Sequence, residues 1–118
     1  MTQQGLVDLA RIQELEAEFG ADDMGVVVDA FLEETDAAIM GLGGLLSSGP
    51  DPDRTAVFHF LAGSAMMVGA RSFGTLCKEL ENRDGGFEPD GLASLQREFD
   101  LVRAWFRQRF SASAHDAA

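Results

Sequence analysis

Two histidines, one cysteine and a surplus of carboxylates are the side chains of this sequence best suited to nucleophilic, acid–base or metal chemistry. His59 lies in VFHFLAGSAMMVGARSFGTLCKELE, residues 57–81, among apolar and very small residues. It has no second histidine, carboxylate or hydroxyl at ligand or triad spacing. A zinc site needs three or four ligands in closed spacing, whereas His59, Cys77 and His115 are scattered, so no metal site is expected. Cys77 falls on an apolar helical stripe and reads as an inert buried thiol. The acidic clusters at Asp22-Asp23, Glu33-Glu34 and Asp51-Pro52-Asp53 read as helix caps and solvated faces. None has the central glycine and terminal glutamate of a calcium loop. The GLGG run at residues 41–44 sits at a helix end and lacks the strand that precedes a phosphate-binding loop. A lone imidazole remains, and its chemistry depends on the face of the helix that carries it.

Phe58, Leu61, Ala65 and Val68 recur at steps of three and four and form one core stripe. His59 stands about 100° off that stripe. Its neighbours one turn away are Thr55 and Ala56 before it, and Ala62 and Gly63 after it. The ring is therefore expected to project outward over a nearly bare backbone. Phe60, Gly63 and Met67, with Met66 close by, make a second apolar line beside it. A helix that is apolar beyond its core side is either buried on several sides or presents a docking patch. Methionine suits docking patches because it adapts its shape. The expected docking residues are Thr55, Ala56, Phe60, Met66 and Met67. Against this, a single helical histidine is usually an ordinary surface residue, and the methionine pair can be core filler.

The elements that must position the ring are all helical, since no segment alternates as a half-buried strand would. A short helix is expected from the N-cap Asp8 through Leu9, Ile12, Leu15 and Phe19, ended by Gly20 in a left-handed conformation. A second helix follows Asp22 or Asp23, with Met24, Val27, Val28, Phe31, Thr35, Ile39, Leu42 and Leu46 as its stripe. Gly41, Gly43 and Gly44 weaken its last turns. The loop at residues 47–53 leads to a third helix from Pro52 to Val68, interrupted by Gly69. The fourth runs from about Ala70 to Asn82, with Phe73, Leu76, Cys77 and Leu80 inward. The last runs from Asp90 to Phe110, with Leu92, Leu95, Phe99, Val102, Phe106 and Phe110 inward. The expected fold is all-α, an antiparallel four-helix bundle with a short additional N-terminal helix. It occupies residues 1–110, and a flexible tail is expected at 111–118.

The 118 residues suit one domain, and 46% hydrophobic with 25% charged residues favours a folded chain over a disordered one. A formal net charge of −11 disfavours nucleic acid and anionic membrane surfaces as partners. The N-terminal residues show no signal-peptide pattern, and the longest weakly polar run, residues 37–46, is about half a membrane span. A single cysteine forms no internal disulfide, so a cytoplasmic location is the default.

The stretch HFLAGSAMMVGARSFGTLCKELE resembles the signature of histidine-containing phosphotransfer (HPt) domains, approximately H-x-L-K-G-S-[AS]-x-x-x-G-A-x-x-L-x-x-x-C-x-x-L-E. His59, Leu61, Gly63, Ser64, Ala65, Gly69, Ala70, Cys77, Leu80 and Glu81 match in type and spacing. Leu76 falls two places later than the outlined leucine. FLEETDAAIMGL, residues 31–42, resembles the family's second helix. The similarity extends from about Asp8 to Phe110 and is sharpest over 59–81.

The resemblance implies a four-helix bundle that relays a phosphoryl group between receiver domains, or between a hybrid sensor kinase and a response regulator. His59 would carry the group, Gly63 would leave space for it, and Ser64 and Ala65 would be the small residues behind. The donor would be an aspartyl phosphate. Mg²⁺ would sit on the receiver, and this chain, a monomeric phosphocarrier without ATP-dependent kinase activity, would need no cofactor. One departure stands out: the family's lysine three residues after the histidine is Ala62 here. A lysine there would offset the phosphoryl charge. The nearest basic residues in sequence are Arg54 and Arg71. The competing reading is a helical module that docks or sequesters a regulator without turnover.

Overall fold

The computed structural model describes residues 5–83 and 85–117, with side chains described as far as Phe110. Four helices and one short 3₁₀ turn account for nearly all of it: α1 Leu9–Leu42, the turn Gly43–Leu45, α2 Pro52–Val68, α3 Arg71–Asn82 and α4 Pro89–Ala117. Each helix packs on its neighbour in the chain, and α4 closes the ring against α1. Among the described residues there is no strand, only an isolated bridge between Ser47 and Phe87.

The start of α1 follows the sequence expectation, with the Asp8 carboxylate accepting from the Arg11 backbone N–H at 3.2 Å. Gly20 does take a positive φ, 83° with ψ 160°, but the chain resumes helical geometry immediately. Gly20 thus separates the expected short N-terminal helix, the first arm of α1, from the long helix that follows without an intervening loop. Ile12 and Leu15 of that arm are buried, whereas Leu9 and Phe19 are exposed, contrary to the expected stripe. Phe19 is the last residue before the kink and stays 45% exposed. At its other end, α1 gives way to the 3₁₀ turn at Gly43, where the glycine-rich run weakens the helix.

The core is built from the predicted stripes. Phe58, Phe73, Phe99 and Phe106 are almost wholly buried, each contributing about 2–3 kcal/mol of transfer free energy. Phe106 meets Phe31 edge-on at 6.1 Å, tying α4 to α1, and Phe73 meets Phe99 at 5.6 Å, tying α3 to α4. The end of α4 lies beyond Phe110, at Ala117. The side chains of 111–117, His115 among them, and Ala118 lie outside the described residues, as does the expectation of a flexible tail there.

Arg54 has a structural task. It is buried at 4% exposure, and its guanidinium donates to the carbonyls of Leu45, Gly49 and Gly85 and to the Ser47 hydroxyl, at 2.8–3.2 Å. One cation thereby fastens both long loops to the first turn of α2. Beside it Ser47 and Phe87 exchange backbone hydrogen bonds, and the Phe87 ring packs edge-on against Phe58 at 5.1 Å.

Candidate functional site

The α2–α3 hairpin places the histidine. Asp51 caps α2, accepting from the backbone N–H groups of Asp53 and Arg54, and Pro52 occupies the first turn where no donor is needed. Gly69 ends the helix with φ 87°, and Ala70 N–H donates to the Ala65 carbonyl at 2.8 Å, a glycine-capped reversal into α3. A methyl group on Gly69 would lie 2.8 Å from Ile12 Cγ1, so the left-handed turn is also packed against α1. The Gly69 carbonyl accepts from Asp8 N–H at 2.8 Å, which fixes the hairpin to the start of the chain.

This reversal brings Glu81, near the end of α3, beside His59. Nδ1 of the ring lies 2.7 Å from Glu81 Oε2, across 22 positions of sequence. The His59 side chain is 78% exposed and that of Glu81 only 20%. An ionised carboxylate can only accept, so Nδ1 carries the proton and donates it. Nε2 is then the nitrogen with a free lone pair, on the solvent side of a ring whose orientation is fixed. Glu81 thus orients the ring, as a carboxylate does behind a nucleophilic or general-base histidine.

The surroundings match the sequence expectation in most places. Thr55, Ala56 and Gly63 are exposed, and Phe60, Met66 and Met67 show 50%, 43% and 66% of their surface. Ser64 is half-buried. A methyl group placed on Gly63 would meet no heavy atom within 4 Å, so the bundle itself gives no reason for the glycine. Ala62 departs from expectation. It is buried at 7%, because α2 is covered on two sides and Ala62 lies one turn before Ala65, which packs against Gly74 of α3. The two basic residues nearest in sequence are both engaged elsewhere, Arg54 in its clasp and Arg71 with Asp8 at 3.5 Å.

Glu81 is the site residue that sequence reasoning did not assign. It stood in the motif as a matching position, but its partnership with His59 depends on the register of two antiparallel helices. Cys77 lies fully buried one turn before Glu81, and burial pushes its thiol up to about 12, which removes it from thiolate chemistry near neutral pH. No cluster of three or more metal-ligating side chains occurs among the described residues.

An exposed imidazole, fixed through Nδ1 and flanked by small residues, is suited to accept a group at Nε2 from a closely approaching partner. A sequence profile of the Hpt domain matches residues 26–105, which spans the second arm of α1, both hairpin helices and most of α4. The chain belongs to the Hpt domain family. Its function is accordingly histidine phosphotransfer in a phosphorelay. Among solved structures, histidine-containing phosphotransfer protein B from Pseudomonas aeruginosa PAO1 is similar with TM-score 0.78 and 23% identity, covering 91% of this chain and 96% of that one. A rice protein described as a candidate histidine-containing phosphotransfer protein is similar with TM-score 0.75 and 25% identity, covering 96% of this chain and 87% of that one. No curated protein matches in a sequence search. As an Hpt domain the chain is a phosphocarrier, a class that interacts with receiver domains. No helix among its described residues is long and apolar enough to cross a membrane.

Proposed function

We propose that Nε2 of His59 is the atom that receives the phosphoryl group from the aspartyl phosphate of a receiver domain and passes it to a second receiver. The 2.7 Å Nδ1–Glu81 contact carries this reading, because it leaves only Nε2 free to attack. The Nε2 lone pair forms the new N–P bond as the bond between phosphorus and the aspartyl oxygen breaks. The carboxylate leaves with that electron pair. The ring, still protonated at Nδ1, becomes a phosphorylated imidazolium beside Glu81. Transfer to the second receiver runs the same exchange in reverse. In-line phosphoryl transfer depends on positioning and charge stabilisation, and Mg²⁺ and a lysine on the receiver would supply most of the latter.

Docking in this account uses Thr55, Ala56, Phe60, Met66 and Met67 around the ring, with Gly63 and Ser64 keeping the approach open. The partners are response-regulator receivers and a hybrid sensor kinase, and the chain works as a cytoplasmic monomer. Relay is preferred over passive sequestration because a ring oriented by Glu81 serves chemistry and adds little to apolar docking. Nitrogen-15 spectra of histidine-labelled protein after transfer test the reading. Phosphorylation at Nε2 of His59 is expected, and modification at Nδ1 or at His115 contradicts it.

A further inference from the structure

A phosphoryl group on His59 brings about two negative charges to a ring that already touches a carboxylate, in a chain of net charge −11. Some cation of this chain should lie within reach. Most are committed: Arg11 to Glu14 and the Met67 carbonyl, Arg54 to its loops, Arg71 to Asp8, Arg97 to Ser94, and Arg103, Arg107 and Arg109 to carboxylates. Only Lys78 and Arg83 have no hydrogen-bond or ion-pair partner among the described residues. Arg83 stands past the end of α3, where the backbone has become extended. Lys78, the sequence's only lysine, is exposed within the helix, one turn before Glu81.

The register of the hairpin locates it further. A methyl group on Gly74 would lie 3.0 Å from Met66 Cε and 3.2 Å from Ala65 Cβ, so Gly74 faces Ala65 and Met66 across the α2–α3 contact. Glu81 faces His59 across the same contact. Positions 74, 78 and 81 follow at steps of four and three along one line of α3. Lys78 is therefore placed opposite the Ala62–Gly63 step, where α2 has only a methyl group and a hydrogen. A four-carbon stem can cross that bare stretch and bring its ammonium beside Nε2.

We infer that Lys78 is this chain's own cation for the phosphorylated His59, reaching from α3 over Ala62 and Gly63 to the phosphoryl oxygens. The inference rests on the reading of His59 as the phosphorylated residue. It makes Ala62 and Lys78 a matched pair: the charge stands on α3, and the small side chain on α2 clears its path. A mobile ammonium of this kind acts as a point charge on phosphate oxygens.

The test uses the full chain with phosphoramidate as phosphodonor, and compares wild type, His59→Gln, Lys78→Ala, Arg83→Ala and Lys78→Ala combined with Ala62→Lys. Label on wild type and none on His59→Gln is expected, with labelling of Lys78→Ala slowed about tenfold or more. The Ala62→Lys combination should restore the rate, a rescue that a merely structural Lys78 would not show. Arg83→Ala should remain within about twofold of wild type. In wild type carrying carbon-13 methyl groups on its single lysine, the Lys78 resonance should move on phosphorylation. Lys78→Ala labelling at the wild-type rate, or an unmoved resonance, overturns the assignment of Lys78 while leaving His59 intact. Equal labelling of His59→Gln overturns the reading of His59, and the role of Lys78 with it.

Discussion

The two sides of the bundle treat charge in opposite ways. Where α4 meets α1, arginines are spent on carboxylates: Arg107 on Asp29 at 2.7 Å, Arg103 on Asp100 and Asp36, and Arg109 on Glu16 through two parallel hydrogen bonds of 2.8 and 2.9 Å. Where α2 meets α3, the outer surface carries an exposed ring, three half-exposed apolar side chains and a lysine with no partner among the described residues. The first side pairs its arginines within the chain, although α1 and α4 also expose Val26, Met40 and Leu101. The second leaves its apolar surface and its cation uncovered, as a surface that awaits a partner does. The difference shows how a histidine with no partner at ligand or triad spacing in its own helix can be functional: α3 supplies Glu81 beside it, and the face around it stays open.

Arg54 is the charge on the α2 side that belongs to the fold, and removing it should have the largest effect. Arg54→Ala removes four part-buried hydrogen bonds and leaves the Leu45 and Gly85 carbonyls without their side-chain donor, so a loss of about 2 kcal/mol is expected in urea unfolding. A loss below about 1 kcal/mol would mean that the loops hold without the clasp.

Met67→Glu separates docking from folding. Receiver affinity should fall about tenfold or more, on the order of 1.4 kcal/mol, with unfolding almost unchanged because Met67 is 66% exposed. Arg107→Ala, on the α1–α4 side, should leave receiver affinity untouched. Equal losses from both substitutions would erase the distinction between the two sides.

Gly63→Ala sharpens the contrast. The new methyl group meets open space, and alanine favours helix by up to about 1 kcal/mol, so the variant should be more stable. It should nevertheless transfer phosphate more slowly, because the group occupies the approach to Nε2. Faster or unchanged transfer, measured beside the unfolding midpoint, would remove the functional reason for the glycine.

The smallest effect belongs to the Glu16–Arg109 pair. The hydrogen bond from Arg109, opposed by partial burial and helped by its charge, holds the Glu16 carboxyl below its ordinary value of 4.5. A lowered carboxyl stabilises the fold above that ordinary value and loses its contribution as pH falls through the lower folded one. Both side chains are partly solvated, which limits the pair to about 1 kcal/mol or less. Glu16→Gln should thus be slightly less stable than wild type at pH 7, and the gap should close as pH drops below 4.5. A constant gap across that range would exclude the ionised pair as its source.

Much of this was legible in the sequence. The ends of α2 followed from an Asp-Pro start and a glycine stop, both local backbone chemistry, and the outward direction of His59 followed from its angle to the Phe58–Val68 stripe. The break after the short first helix followed from Gly20, whereas the immediate return to helix beyond it was not legible from one glycine. Ala62 was misplaced because periodicity reveals one buried stripe, whereas α2 is covered by both α1 and α3. Glu81 and Lys78 escaped for a related reason. Their relation to His59 is set by how two helices align across the Gly69 turn, and no spacing within either helix encodes it.

The central claim is that His59 is the chemical centre of the uncovered side. It is tested most directly by phosphoryl transfer from a charged receiver domain to wild type and to His59→Gln, with docking measured in parallel. Acid-labile, base-stable label on the wild type alone, with docking preserved in the variant, is the predicted result. Docking without label on either protein, or equal label on both, would contradict it.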